Sequence, residues 1–194
     1  MEDEDYRQIL TEHHEKCTPC EVTCDTLSLV VSVSTVSHEI AITRRVNTAR
    51  THLTGWWAFR LNAITELQSP IDADDISAAM STFNQKISSK LPFKASTMRE
   101  LAERVCNFFP IVIFNGKSTE DGTDGIAGTI ESIDGCKMHV REISTRYRWM
   151  RDLLSVDLND LNSIVFGSYY ENELSKIGRR RDFDDNIGVN LFRI

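Results

Sequence analysis

No run in this sequence approaches the roughly 20 apolar residues that a bilayer-spanning helix requires, which argues against insertion by a helix. The first residues, Met1-Glu2-Asp3-Glu4-Asp5, lack the basic start and apolar stretch of a signal peptide, so a cytoplasmic protein is expected. Cysteines number five, an odd count in a chain long enough to build its own core, and this fits reduced thiols better than a disulfide framework. Catalytic signatures are missing as well. There is no Gly-x-Ser-x-Gly elbow, no phosphate-cradling glycine loop, no His-Glu-x-x-His helix and no carboxylate pair set among apolar residues. Asp72, Asp74 and Asp75 have no glycine and terminal glutamate at Ca²⁺-loop spacing and read as helix-start acids. The expectation is a non-enzymatic protein without a cofactor.

What is present is ordinary globular composition. The 194 residues are 41% hydrophobic and 26% charged, enough to bury a core as one large domain or two small ones. The net charge is −7, which repels nucleic acid unless the basic residues gather on one face.

The chain also resembles itself. Residues 60–67 (Arg-Leu-Asn-Ala-Ile-Thr-Glu-Leu) match residues 157–164 (Asp-Leu-Asn-Asp-Leu-Asn-Ser-Ile) at a shift of 97. At that shift Phe59 meets Val156, Val46 meets Ile143, Arg44 meets Arg141, Val36 meets Ile133 and Val33 meets Ile130. Ile40 and Ile42 reach Met138 and Val140 only after a slip of one residue, and Pro19 meets Pro110 at a shift of 91. The six extra residues of the second half fall in the turn-rich stretch 116–125.

Each proline follows an expected helix. Ser96 or Thr97 can cap one with apolar positions Met98, Leu101, Ala102 and Val105, Glu100 serving as capping-box partner to Thr97. Tyr6, Ile9, Leu10 and His13 space a first, acidic helix in the same way. Strands are expected at 21–24, 27–34, 39–46 and 56–67, and again at 111–115, 126–133, 137–143 and 153–165, from β-branched enrichment and alternation. The fold class read from this is α+β: two tandem copies of a helix followed by a small antiparallel β-barrel. The copies span 1–69 and 93–176, a helical connector carrying Ile76, Met80 and Phe83 fills 70–92, and 177–194 is a charged tail.

Helix plus bent sheet resembles the Sm-like and SH3-like small barrels. The tandem form, ending in residues 160–170 (Asp-Leu-Asn-Ser-Ile-Val-Phe-Gly-Ser-Tyr-Tyr), is similar to uncharacterised bacterial proteins. Neither Asn62 nor Asn159 is followed by the Arg-Gly pair that Sm-type RNA sites use.

Two clusters are candidate sites. His13, Cys17, Cys20 and Cys24 have zinc-ligand chemistry, but no second knuckle accompanies them, and Cys17 and Cys20 align with apolar Phe108 and Ile111; small buried hydrophobes are the favoured reading. Arg44, Arg45, Arg50 and Arg60 are interleaved with Trp56 and Trp57 in a stretch free of acids, and Arg141, Arg146, Tyr147, Arg148, Trp149 and Arg151 repeat the theme. Arginine beside aromatics suits a protein hot spot or single-stranded nucleic acid, or simply a solvated hairpin with Trp57 turned into the core. The reading that follows is an interaction protein presenting Arg/aromatic hairpins to an unidentified protein partner. An Sm-like RNA binder and an acidic neutraliser of a basic toxin are the alternatives.

Overall fold

The N-cap read at Thr97 forms, while Glu100 reaches one residue further back than a capping box would, to Ser96. The Glu100 amide donates to Thr97 Oγ1 (3.1 Å), and the Ser96 amide donates to Glu100 Oε2 (2.8 Å). From such local signals the computed structural model builds α1 (Asp3–Lys16), β1 (Pro19–Cys24), β2 (Leu27–Val36), β3 (Ile40–Asn47), β4 (His52–Arg60), β5 (Ile64–Gln68), α2 (Ala73–Thr82), α3 (Met98–Val105), β6 (Val112–Gly116), β7 (Ile126–Asp134), β8 (Lys137–Glu142), β9 (Leu154–Asp157), β10 (Leu161–Phe166) and α4 (Tyr169–Arg181). The described residues are 3–24, 27–47, 52–70, 72–82, 91–116, 125–144 and 147–181. Phe83 of the expected connector and most of the tail lie outside them.

The two longest strand readings, 56–67 and 153–165, are each two strands broken by a 3-10 turn, Leu61–Ala63 in the first and Leu158–Asp160 in the second. The second turn is capped by Asp157, whose carboxylate accepts from the Asn159 amide at 2.9 Å. Each break redirects the chain, so β5 pairs with β1 and β10 pairs with β6.

Two tandem closed barrels are not what forms. All ten strands among the described residues join one open antiparallel sheet in the order β5-β1-β2-β3-β4-β10-β6-β7-β8-β9. The physical reason is the destination of β4. Closure would need β4 to return within its own half, but its free edge is taken by β10, with Ser163 opposite Phe59 and Phe166 opposite Trp56. The strand order and pairing registers of the two halves nevertheless correspond at an offset. The β2–β3 irregularity lies between Val33 and Thr35, and the β7–β8 irregularity between Ile130 and Ser132, which is the same place shifted by 97.

The central strand pair is covered on both faces. Alternation sends Trp56 and Ala58 into one core with Ile40, Ile42, Met98, Leu101, Ile164 and Phe166. It sends Trp57 and Phe59 into another with Leu10, Val22, Val31 and Val165. All six residues of β10 are buried. Trp56 stacks on Phe166 with centroids 6.4 Å apart, so the tryptophan that faces away from Trp57 is buried against the second half. Burying side chains of this size contributes roughly 1.5–3 kcal/mol each.

A polar clamp joins the halves beside this core. Arg60 Nε donates to Leu161 O (2.8 Å), Nη2 donates to Leu158 O (2.9 Å), and Nη1 pairs with Glu39. Glu39 also accepts from the Met98 amide at the start of α3 (3.3 Å), and Ser37 Oγ donates to Ser96 O (2.8 Å).

Candidate interaction surface

Most of the arginine and aromatic candidates point into the protein. Trp56 and Trp57 are buried. Arg44 Nε donates to Thr54 O at 2.8 Å, and its guanidinium lies over the Trp56 ring, 4.7 Å from the centroid. Burial holds its pKa below the ordinary guanidinium value. Arg45 is half-buried on the opposite face of β3, with Nε buried and without a hydrogen-bond partner. Arg60 belongs to the clamp. Arg141 Nε bonds Glu131 (2.8 Å) and Nη1 reaches Arg151 O (3.3 Å), so it braces the segment leading into β9. Arg50 and Arg146 lie outside the described residues.

The segment from Tyr147 to Arg151 divides by exposure. Tyr147, at φ +59°, and Trp149 pack partly buried against Ile111, Ile143 and Leu174, and Trp149 forms a bridge with Ile143. The Trp149 indole N–H is buried without a partner. Arg148 and Arg151 are exposed. Between and just after them come three large exposed apolar side chains: Met150 at 46%, Leu153 at 44% and Leu154 at 37%. The structure thus brings together Arg148, Arg151 and an apolar group that the Arg/aromatic pattern alone does not single out. A signal for it exists in the sequence. Leu153-Leu154 is an adjacent apolar pair at the start of β9, and strand alternation cannot turn both side chains of such a pair to one face.

β9 is an end strand of the sheet, paired on one side with β8 from Leu154↔Val140 to Asp157↔Lys137. The other end strand, β5, carries exposed Thr65, Glu66 and Gln68, with Pro70 just beyond it. Charged and polar residues are the usual guard on an exposed sheet edge. β5 has that guard, whereas at the β9 edge Leu154, and Leu153 just before the strand, are exposed.

The cysteine and histidine cluster is dispersed. Cys20 and Cys24 alternate with Val22 into the core under α1, and burial pushes the Cys20 thiol up to about 12. Cys17 is exposed at φ +53° after α1. His13 Nδ1 is hydrogen-bonded to Thr18 Oγ1 (2.9 Å), and partial burial holds its pKa below the ordinary imidazole range. Among the described residues, no group of three or more His, Cys, Asp or Glu is placed to hold a metal ion. No described helix is long and apolar enough to cross a membrane.

No protein-family model matches the chain, and no curated protein matches it. Among solved structures, MrkH of K. pneumonia in its apo state aligns over 95% of this chain and 96% of its own, at 9% identity and a TM-score of 0.22. A second structure, described as MrkH, a c-di-GMP-dependent transcription regulatory factor, aligns over 96% and 92% at 8% identity and a TM-score of 0.19. At these scores the similarity says nothing about fold or function, and no family is assigned to the chain.

Proposed function

We propose that this is a non-enzymatic interaction protein that meets a protein partner along β9 and the segment before it, through Arg148, Met150, Arg151, Leu153 and Leu154. The observation that carries the reading is the asymmetry of the two sheet edges: one carries exposed Glu66 and Gln68, the other exposed Leu154 with exposed Leu153 just before it. An unpaired edge offers a row of backbone donors and acceptors, and strand addition to such an edge is a general mode of peptide capture. Flanking arginines and apolar side chains supply the hot-spot chemistry.

The same geometry counts against nucleic acid. Arg44, Arg60 and Arg141 are engaged with protein groups and both tryptophans of β4 are buried, so few of these groups remain to pair phosphates or stack bases. The test compares wild type with Ser155→Pro in quantitative affinity capture from native cytosol. Proline removes the backbone donor that strand addition needs. Partners recovered by wild type and lost with the variant, at an unchanged unfolding midpoint, support the reading. Identical recoveries would sink it. A filter-binding assay across salt concentrations checks the nucleic-acid alternative, whose affinity would have to fall steeply with salt.

A further inference from the structure

We infer that β9 pairs antiparallel with β9 of a second copy of this chain, about a two-fold axis at Ser155. The inference rests on the interaction reading and names the occupant of that edge.

Backbone parity supplies the first part of the argument. The Leu158 amide donates to Cys136 O at 2.7 Å, which points that position toward β8. In an antiparallel ladder alternate residues bond to alternate sides, so Val156 and Leu154 face β8, while Ser155 and Asp157 turn their backbone groups outward. A two-fold axis at the outward position Ser155 sets that residue against its own copy and Leu154 beside the partner's Val156, so the edge can pair with itself.

Charge supplies the second part. Before the strand the segment carries Arg148 and Arg151 with Asp152 beside them and is net basic; it is apolar at Leu153 and Leu154, and acidic after them, at Asp157 and Asp160. Antiparallel self-pairing brings each basic end to the partner's acidic end. A parallel arrangement would put like charges together. The β5 edge is a poor alternative occupant, because exposed Glu66 and Gln68 complement neither leucine.

The central junction supplies the third part. In register, β9 is the counterpart of β4: Lys137↔Asp157 and Met138↔Val156 repeat Ile40↔Arg60 and Ala41↔Phe59 at the shift of 97. The free side of β4 is closed by another strand, whereas among the described residues no strand pairs with the same side of β9. Isologous two-fold pairing is the commonest way for a soluble chain to close such a surface.

Sedimentation velocity on the full chain at rising concentration tests this. A reversible monomer–dimer equilibrium is expected, weakened roughly tenfold or more by Ser155→Pro, which removes a symmetric pair of hydrogen bonds. Arg151→Glu or Asp160→Lys alone should weaken the dimer, and the two together should restore it. Ser155→Cys, with the exposed Cys17 and Cys136 changed to serine, should form an inter-copy disulfide on mild oxidation. Glu66→Cys in the same background should not. A chain that stays monomeric at every concentration overturns the inference, even if Ser155→Pro still changes what is captured from cytosol; in that event the interaction reading survives. A dimer indifferent to the charge swap that gives no Ser155→Cys cross-link overturns it too. Where Ser155→Pro fails to fold, the charge swap and the cross-link decide.

Discussion

β4 and β9 occupy matching places in their halves, and they end in opposite circumstances. β4 is covered on both faces, closed along its free side by β10, and clamped through Arg60 to Leu158, Leu161 and Glu39. β9 has β8 on one side, with Leu153 and Leu154 exposed and Asp157 where the clamp arginine would be. Position in the register therefore does not decide burial; the neighbour does. Trp56 and Trp57 are tolerable as consecutive residues because β10 and α3 complete a second core above Trp56. Leu153 and Leu154 lack that cover.

The largest effect expected from this contrast comes from removing the neighbour altogether. Residues 93–194 expressed alone would leave β10 as an edge strand, with Ile164, Phe166 and Val165 stripped of their partners on β4. The fragment should show no cooperative urea transition, whereas the full chain should unfold as one unit. A soluble fragment whose midpoint reproduces a separate step in the full-length curve would make the halves independent and break the comparison.

Breaking the clamp should cost less. Arg60→Leu leaves the carboxylate of Glu39 and the carbonyls of Leu158 and Leu161 without their cation. The side chains of Arg60 and Glu39 are 16% and 26% exposed, so water offsets part of the loss. A destabilisation of about 1.5–3 kcal/mol is expected, the range for hydrogen bonds to charged groups. An unfolding midpoint unchanged by Arg60→Leu would remove the clamp from the list of differences between β4 and β9. Smaller again is Arg44→Lys, which keeps the charge and gives up the planar stack on Trp56. About 0.5–1 kcal/mol should be lost, and Trp fluorescence should report the altered ring environment.

How much of this was legible in the sequence follows from the same contrast. The α3 cap at Thr97, the apolar spacing of its helix and the positions of most strands could be read, because each depends on neighbours in the chain. Closed barrels were expected where an open sheet forms, since nothing local states that β4 pairs across 100 residues with β10. The one-residue slip at Ile40 and Ile42 was also misleading. The register places Ala41 with Met138 and Thr43 with Val140, with no slip. Ile40 and Ile42 are apolar because β3 faces two cores, while the corresponding Lys137 and His139 lie on a strand that faces one. Apolar matching therefore followed burial and missed register. The prolines misled in a similar way: paired to their sister strands, β1 and β6 correspond at 92, as in Thr23↔Glu66 against Asn115↔Ser163, so Pro19 lies opposite no proline. At the surface, Arg44, Arg60 and Arg141 looked available because sequence shows charge and not the carbonyls that await it.

The smallest effect on stability, and the sharpest on the comparison of edges, should come from exchanging the characters of the two end strands. Leu154→Glu places a charge on the open edge, and Glu66→Val removes one from the guarded edge. Both sites are exposed, so neither change creates a cavity or strands a buried group, and each should move the unfolding free energy by no more than about 0.5 kcal/mol. Their effects on self-association should be opposite in sign. Leu154→Glu should raise the ammonium sulfate concentration needed to precipitate the protein, and Glu66→Val should lower it, because an unguarded edge recruits other strands whatever its place in the chain. If Glu66→Val leaves precipitation unchanged, then Thr65, Gln68 and Pro70 guard β5 without the charge, and the difference between the edges rests on Leu153 and Leu154 alone.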